Sequence, residues 1–162
     1  MARLVLILGS NANDKRVQIE ETEAAIAEML GEITVCSSLY ETEPWGFESD
    51  ATFYNQVIVV NTGYSPAESM NICLQIEEKR GRKRSGKKYE SRLIDIDILF
   101  YDDLIIELTG LTIPHPRLHL RKFVLEPLCE IIPDYIHPVL YKNIDSLLKE
   151  CDDRCWVKKL GG

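Results

Sequence analysis

The chain has no apolar run near the ~18 residues that a membrane-spanning helix needs, and no Cys-x-x-Cys pair. It also has no Gly-x-x-x-x-Gly-Lys-Ser/Thr phosphate loop and no repeat, low-complexity tract or linker. The first absence excludes a helical membrane anchor. The five cysteines at 36, 73, 129, 151 and 155 are odd in number and scattered. This spacing argues against a disulfide framework and a zinc site, and leads to the expectation of reduced thiols in the cytoplasm. Positive charge is in deficit: 19 Lys and Arg against 26 Asp and Glu leave −7, the wrong sign for a nucleic-acid or anionic-membrane partner. Without a glycine-rich phosphate cradle, any triphosphate must be gripped by side chains. The apolar stretch at 4–8 follows one arginine but is shorter than the roughly 7–15 residues of a signal-peptide core, so it reads as a buried strand.

What is present suits one globular unit. The 162 residues, 45% hydrophobic and 28% charged, can bury a core without disulfide or metal staples, and a single domain over 1–162 is expected. Ile19, Ile26, Met29 and Leu30 recur with helical spacing across 14–30, and Gly31 supplies a stop. Residues 33–39 and 53–61 are rich in β-branched and aromatic types and read as strands two and three. Ser65, Pro66 and Glu68 have the chemistry of a capped helix start, and that helix is expected to reach Arg80 with Gly81 ending it. Residues 93–101 form a fourth strand. The order βαββαβ predicts an α+β, ferredoxin-like fold: an antiparallel sheet with both helices on one face. The proline-punctuated remainder forms a C-terminal extension, with short helices near 123–130 and 144–150 and an edge strand at 156–160.

Two features carry chemistry. Alternation along the fourth strand puts Ile94, Ile96, Ile98 and Phe100 on one face and Asp95 with Asp97 on the other. A lone Asp-x-Asp fits an ordinary exposed strand face as well as it fits a metal pair. The basic segment just before it changes the balance. Lys79, Arg80, Arg82, Lys83, Arg84, Lys87, Lys88 and Arg92 are eight of the nineteen cationic residues, and they deliver the chain into the acidic strand. Carboxylates for a hard cation beside arginines for phosphate oxygens describe a magnesium-nucleotide site. His115, held between Pro114 and Pro116, and Arg121 could add donors. Trp45 in a loop, with Phe53 and Asn55 two residues apart on a strand, could stack a flat heterocycle and read its amide edge. Core packing explains these aromatics equally well.

Taken in order, Gly9-Ser10-Asn11, Tyr40-x-Thr42-x-Pro44-x-Gly46, Phe53-x-Asn55, Glu77 with Gly81-Arg82, Arg92-x-x-Asp95-Ile96-Asp97-Ile98, Pro114-His115 and Arg121-x-Phe123 resemble the 6-hydroxymethyl-7,8-dihydropterin pyrophosphokinases. The resemblance implies transfer of diphosphate from ATP to the pterin hydroxymethyl group, leaving AMP, in folate biosynthesis. It implies two Mg²⁺ ions on Asp95 and Asp97, and Arg82 and Arg92 as catalytic residues beside those acids. Arg84, His115 and Arg121 would also meet the triphosphate, and Glu77, Ile98, Leu111 and Thr112 would surround the nucleotide. Thr42, Glu43, Trp45, Phe53, Asn55 and Phe123 match the pterin pocket, with Phe53 and Phe123 as the stacking pair. Lys88, Tyr89 and Glu90 depart from the family pattern, where arginine, tryptophan and a small residue are common. Glu43 stands where proline is frequent. A monomer whose partners are ATP and the pterin is expected. Two other readings stay open: a ferredoxin-like regulatory module that binds a nucleotide, and a different Asp-x-Asp transferase.

Overall fold

Residues 4–8 are apolar without interruption because both faces of their strand are covered. In the computed structural model, which describes residues 1–12, 14–43, 52–81 and 93–160, strand β1 (Ala2–Ser10) lies inside a three-layer sandwich. Leu4, Leu6 and Leu8 pack against helices α1 (Lys15–Met29) and α2 (Pro66–Gly81). Val5 and Ile7 point the opposite way, toward α3 (Lys122–Ile131) and α4 (Ile144–Glu150). The first two helices thus share one face, as the βαββαβ order predicts, and the C-terminal extension covers the other.

The central sheet is antiparallel, in the order β5-β1-β4-β3-β8, with β2 also paired to β4. Its strands are β2 (Gly31–Cys36), β3 (Tyr40–Thr42), β4 (Phe53–Thr62), β5 (Asp95–Tyr101) and β8 (Val157–Lys159). The second strand of the sequence pattern, 33–39, stops at Cys36 in the structure, and a separate short strand, β3, follows just beyond the expected range. The second strand begins earlier, at Gly31, where any Cβ would stand 2.2 Å from the Asn61 carbonyl oxygen. It breaks at Ser37, whose N–H donates to Val57 O at 2.8 Å and whose hydroxyl accepts from Val57 N–H at 3.0 Å. The side chain stands in for the ladder across the break. At α2 the anticipated capping box is present: Glu68 N–H donates to Ser65 Oγ at 3.1 Å, and Ser65 N–H to Glu68 Oε1 at 3.0 Å.

One strand assignment needs correcting. Phe100 does not share a face with Ile94, Ile96 and Ile98. The register of β5 on β1 shifts between Val5 and Leu6, so Leu99 is an extra residue, and Leu99 and Phe100 both join the cluster beneath α3 and α4. A bulge of this kind resets the alternation of the residues that follow it. A hairpin that the sequence pattern does not assign, β6 (Ile106–Leu108) with β7 (Leu111–Ile113), turns at Gly110, which takes the left-handed φ of 79°. No helix among the described residues is long and apolar enough to cross a membrane.

Candidate active site

Among the described residues β5 pairs with β1 alone and is the last strand of the sheet on its side, so no strand covers its other flank. Before the bulge the alternation holds, and Asp95 and Asp97 emerge on the α3 side, half-buried and exposed respectively. Across the sheet Asp95 aligns with Gly9, and Gly9 with Asn55; Asp97 aligns with Ile7. This places the carboxylates and the Asn55 amide in neighbouring rows of one surface. They line a cavity of about 230 Å³ with Thr42, Phe53, Arg121 and Phe123. Arg121 and Phe123 come from the start of α3, the guanidinium carbon lying 5.7 Å from the phenyl centroid. Asn55 Nδ2 donates to Thr42 Oγ1 at 3.1 Å, and both residues are buried. Gly9 leaves room for that amide, since a Cβ there would sit 2.9 Å from Asn55 Oδ1.

A second cavity, about 380 Å³, runs along the open flank of β5 between α2 and the β6–β7 hairpin. Met70, Cys73, Leu74 and Glu77 form its helical wall, Leu111, Thr112 and His115 the opposite one, and Ile96, Asp97 and Ile98 its floor. Asp97 therefore lines both cavities. Glu77, 5% exposed, accepts the Ile96 N–H on Oε2 at 2.7 Å. That bond shows that Ile96 turns its backbone outward, and strand alternation turns Ile98 the same way, offering an N–H and a C=O to the cavity. Burial, reinforced by the Glu77 and Asp97 carboxylates, pushes the Cys73 thiol up to about 12, which keeps it protonated. Burial also lowers His115 below the usual histidine value, with Asp97 opposing and Arg121 and Arg117 assisting. Its Nδ1 accepts from Arg117 N–H at 3.2 Å, so the neutral ring carries its proton on Nε2.

The structure thus brings Glu77, Ile98, Leu111, Thr112 and His115 together in the larger cavity and Thr42, Phe53, Asn55, Asp95, Arg121 and Phe123 in the smaller, with Asp97 shared by both. It does not bring Glu43 to either cavity. The Glu43 carboxylate accepts from Trp156 N–H at 2.9 Å, beside the C-terminal strand. Arg82, Arg84, Arg92 and Trp45, with the departures at Lys88, Tyr89 and Glu90, lie outside the described residues. The stripe Met70, Cys73, Leu74 and Glu77 was not singled out from the sequence beyond Glu77, although its i, i+3, i+4, i+7 spacing marks one helix face.

Comparison with known proteins settles the class. Residues 5–133 match the model of the 7,8-dihydro-6-hydroxymethylpterin-pyrophosphokinase family. The chain belongs to this family. A pyrophosphokinase of that name from Aquifex aeolicus is 39% identical over 150 residues, 93% of this chain and 92% of the relative. One from Bacillus subtilis is 37% identical over 127 residues, 78% and 75% of the respective chains. The folic acid synthesis protein fol1 of Schizosaccharomyces pombe is 37% identical over 144 residues, 88% of this chain but only 20% of that protein. The fold is shared with the HPPK-DHPS of Plasmodium falciparum solved with pteroate, at a TM-score of 0.73 and 22% identity. That alignment covers 92% of this chain and 42% of the Plasmodium one. As a family member the chain is a pyrophosphokinase of folate biosynthesis, with ATP as donor and 6-hydroxymethyl-7,8-dihydropterin as acceptor. The regulatory-module and other-transferase readings fall away.

Proposed function

We propose that diphosphate transfer takes place where the two cavities meet, with ATP in the larger one and the dihydropterin in the smaller. The observation that carries this is the position of Asp97, which lines both. Asp95 and Asp97 fit a pair of Mg²⁺ ions, because Mg²⁺ takes one or two protein carboxylates and completes its shell with water and phosphate oxygens. When bound, these ions neutralise charge on the transferring phosphates. The remaining work is positioning and electrostatics by the chain itself.

On the nucleotide side, Glu77 fixes the outward turn of β5, Ile98 presents backbone groups to the base, and Leu111 and Thr112 close the opposite wall. His115, neutral with Nε2–H as donor, and Arg121 hold phosphate oxygens, joined by Arg82, Arg84 and Arg92 by family resemblance. Toward the pterin, the Thr42–Asn55 pair reads the amide edge of the ring while Phe53 and Phe123 enclose its faces; Trp45 and Glu43 are carried over by resemblance. The pterin hydroxyl then attacks the β-phosphorus in line and AMP leaves. All of this occurs in one domain, 1–162, acting as a cytoplasmic monomer; light scattering after size exclusion checks the monomer.

The decisive experiment is product analysis with ATP, Mg²⁺ and 6-hydroxymethyl-7,8-dihydropterin, using wild type and Asp97→Ala. The wild type should release AMP and pterin diphosphate. Asp97→Ala should lose turnover while keeping its thermal midpoint; near-normal turnover in it would refute the metal assignment.

A further inference from the structure

The pterin cavity has a rear wall as well as a front. Thr42 and Phe53 are Cα partners at the end of the β3–β4 ladder and line the cavity. The adjacent partners Glu41 and Tyr54 face the opposite side, where Tyr54 packs against the core beneath α1. Lys15, the first residue of α1, reaches this rear surface. Its ammonium donates to Thr52 O at 3.0 Å and to Thr52 Oγ1 at 2.9 Å, and lies 4.8 Å from the Tyr54 ring centroid. The Thr52 hydroxyl in turn donates to Glu41 Oε2 at 2.7 Å. A half-buried cation thus ties together a helix start, the residue directly preceding Phe53, and the strand that bears Thr42.

We infer that Lys15 is a positioning residue for pterin recognition, setting the Phe53 ring and the Thr42–Asn55 pair from behind without touching substrate. Charge-assisted bonds to two oxygens of one residue define a position more tightly than a neutral contact does, and the Tyr54 face adds a cation–π attraction. The inference rests on the pterin assignment of the smaller cavity. It names a group outside both cavities that controls one of them and leaves the other alone.

Lys15→Met keeps the apolar stem and removes the donors. It should raise the KM for the dihydropterin about tenfold, with kcat and the KM for ATP within twofold of wild type. Fluorescence titration with the pterin, in the presence of a non-hydrolysable ATP analogue, should show the same loss at equilibrium. Thr52→Val removes the middle of the chain of bonds without altering charge, and the double variant should be no worse than Lys15→Met alone. An unchanged pterin KM in both single variants would overturn the inference. So would parallel losses in kcat and both KM values together with a lowered thermal midpoint, the mark of a merely structural role. Phe53→Ala separates the two possible failures: if it too leaves pterin binding intact, the cavity assignment itself falls; if it weakens binding while the Lys15 variants do not, only the role of Lys15 falls.

Discussion

Replacing Gly9 with alanine tests how closely the proposed pterin cavity is built. The added Cβ would stand 2.9 Å from Asn55 Oδ1, about 0.5 Å inside the 3.4 Å where ordinary contact begins. Asn55 is 5% exposed and donates to Thr42, so it can yield only by bending or breaking that bond. Losing one buried hydrogen bond costs about 1 to 1.5 kcal/mol, which corresponds to roughly tenfold in affinity at 1.4 kcal/mol per decade. The fold should tolerate the change. Gly9 does not have a positive φ, and alanine within a strand is favoured over glycine by about 0.5–1 kcal/mol. The expected outcome is a pterin KM about ten times higher, an unchanged KM for ATP, and a thermal midpoint within about 2 °C of wild type. Steady-state AMP formation with each substrate varied in turn, beside a melting curve, supplies all three values. An unchanged pterin KM would show that the Asn55 amide does not read the ring, and a collapse of stability would show that the crowding reaches the sheet instead.

Two further predictions concern the scaffold. Burial, with His119 adding repulsion, holds His137 well below its usual value, at about 4; its Nδ1 already accepts from the N–H groups of Val139 and Leu140, each at 3.1 Å. A depressed histidine contributes stability that is complete above the unfolded value near 6.5 and is lost as pH falls toward 4, so up to about 3 kcal/mol should disappear across that window. The difference between wild type and His137→Gln in a series of melts should shrink over the same range; a constant difference would refute the assignment. Ser65→Ala removes half of the α2 capping box and should cost about 1 kcal/mol, read as a fall of about 2–4 °C in the melting midpoint with kcat unaltered.

Local chemistry was the most legible part of the sequence. The Ser65–Glu68 box could be read because its partners are three residues apart, and the Asp95–Asp97 pair because strand alternation needs no tertiary information up to Ile98. Legibility ended where a distant strand decides. Leu99 becomes a bulge only through its pairing with β1, which is why Phe100 changed faces. Ser37 breaks a strand only because its hydroxyl accepts the Val57 N–H as a substitute for the ladder. The β6–β7 hairpin has strands of three residues each, too short for periodicity to register, although Thr109-Gly110 is ordinary turn chemistry. The cavity along α2 was half visible: Glu77 was picked out through the family resemblance, while Met70, Cys73 and Leu74 looked like any core stripe. Glu43 was assigned to the pterin pocket by the family resemblance alone, and the partner its carboxylate has here, the Trp156 N–H, lies 113 residues away, beyond any local pattern.

The open flank of β5 constrains how this molecule can be assembled into anything larger. A strand edge usually invites a neighbour, and sheets commonly grow by that route. Here an added strand would fill the cavity between α2 and the β6–β7 hairpin, so on the proposed placement of ATP there, growth on that side would silence the enzyme. On that placement, fusion partners or additional copies attach at the far margin, beside β2 or β8, or against the helices, and an engineered tether that occupied the β5 side acts as an inhibitor.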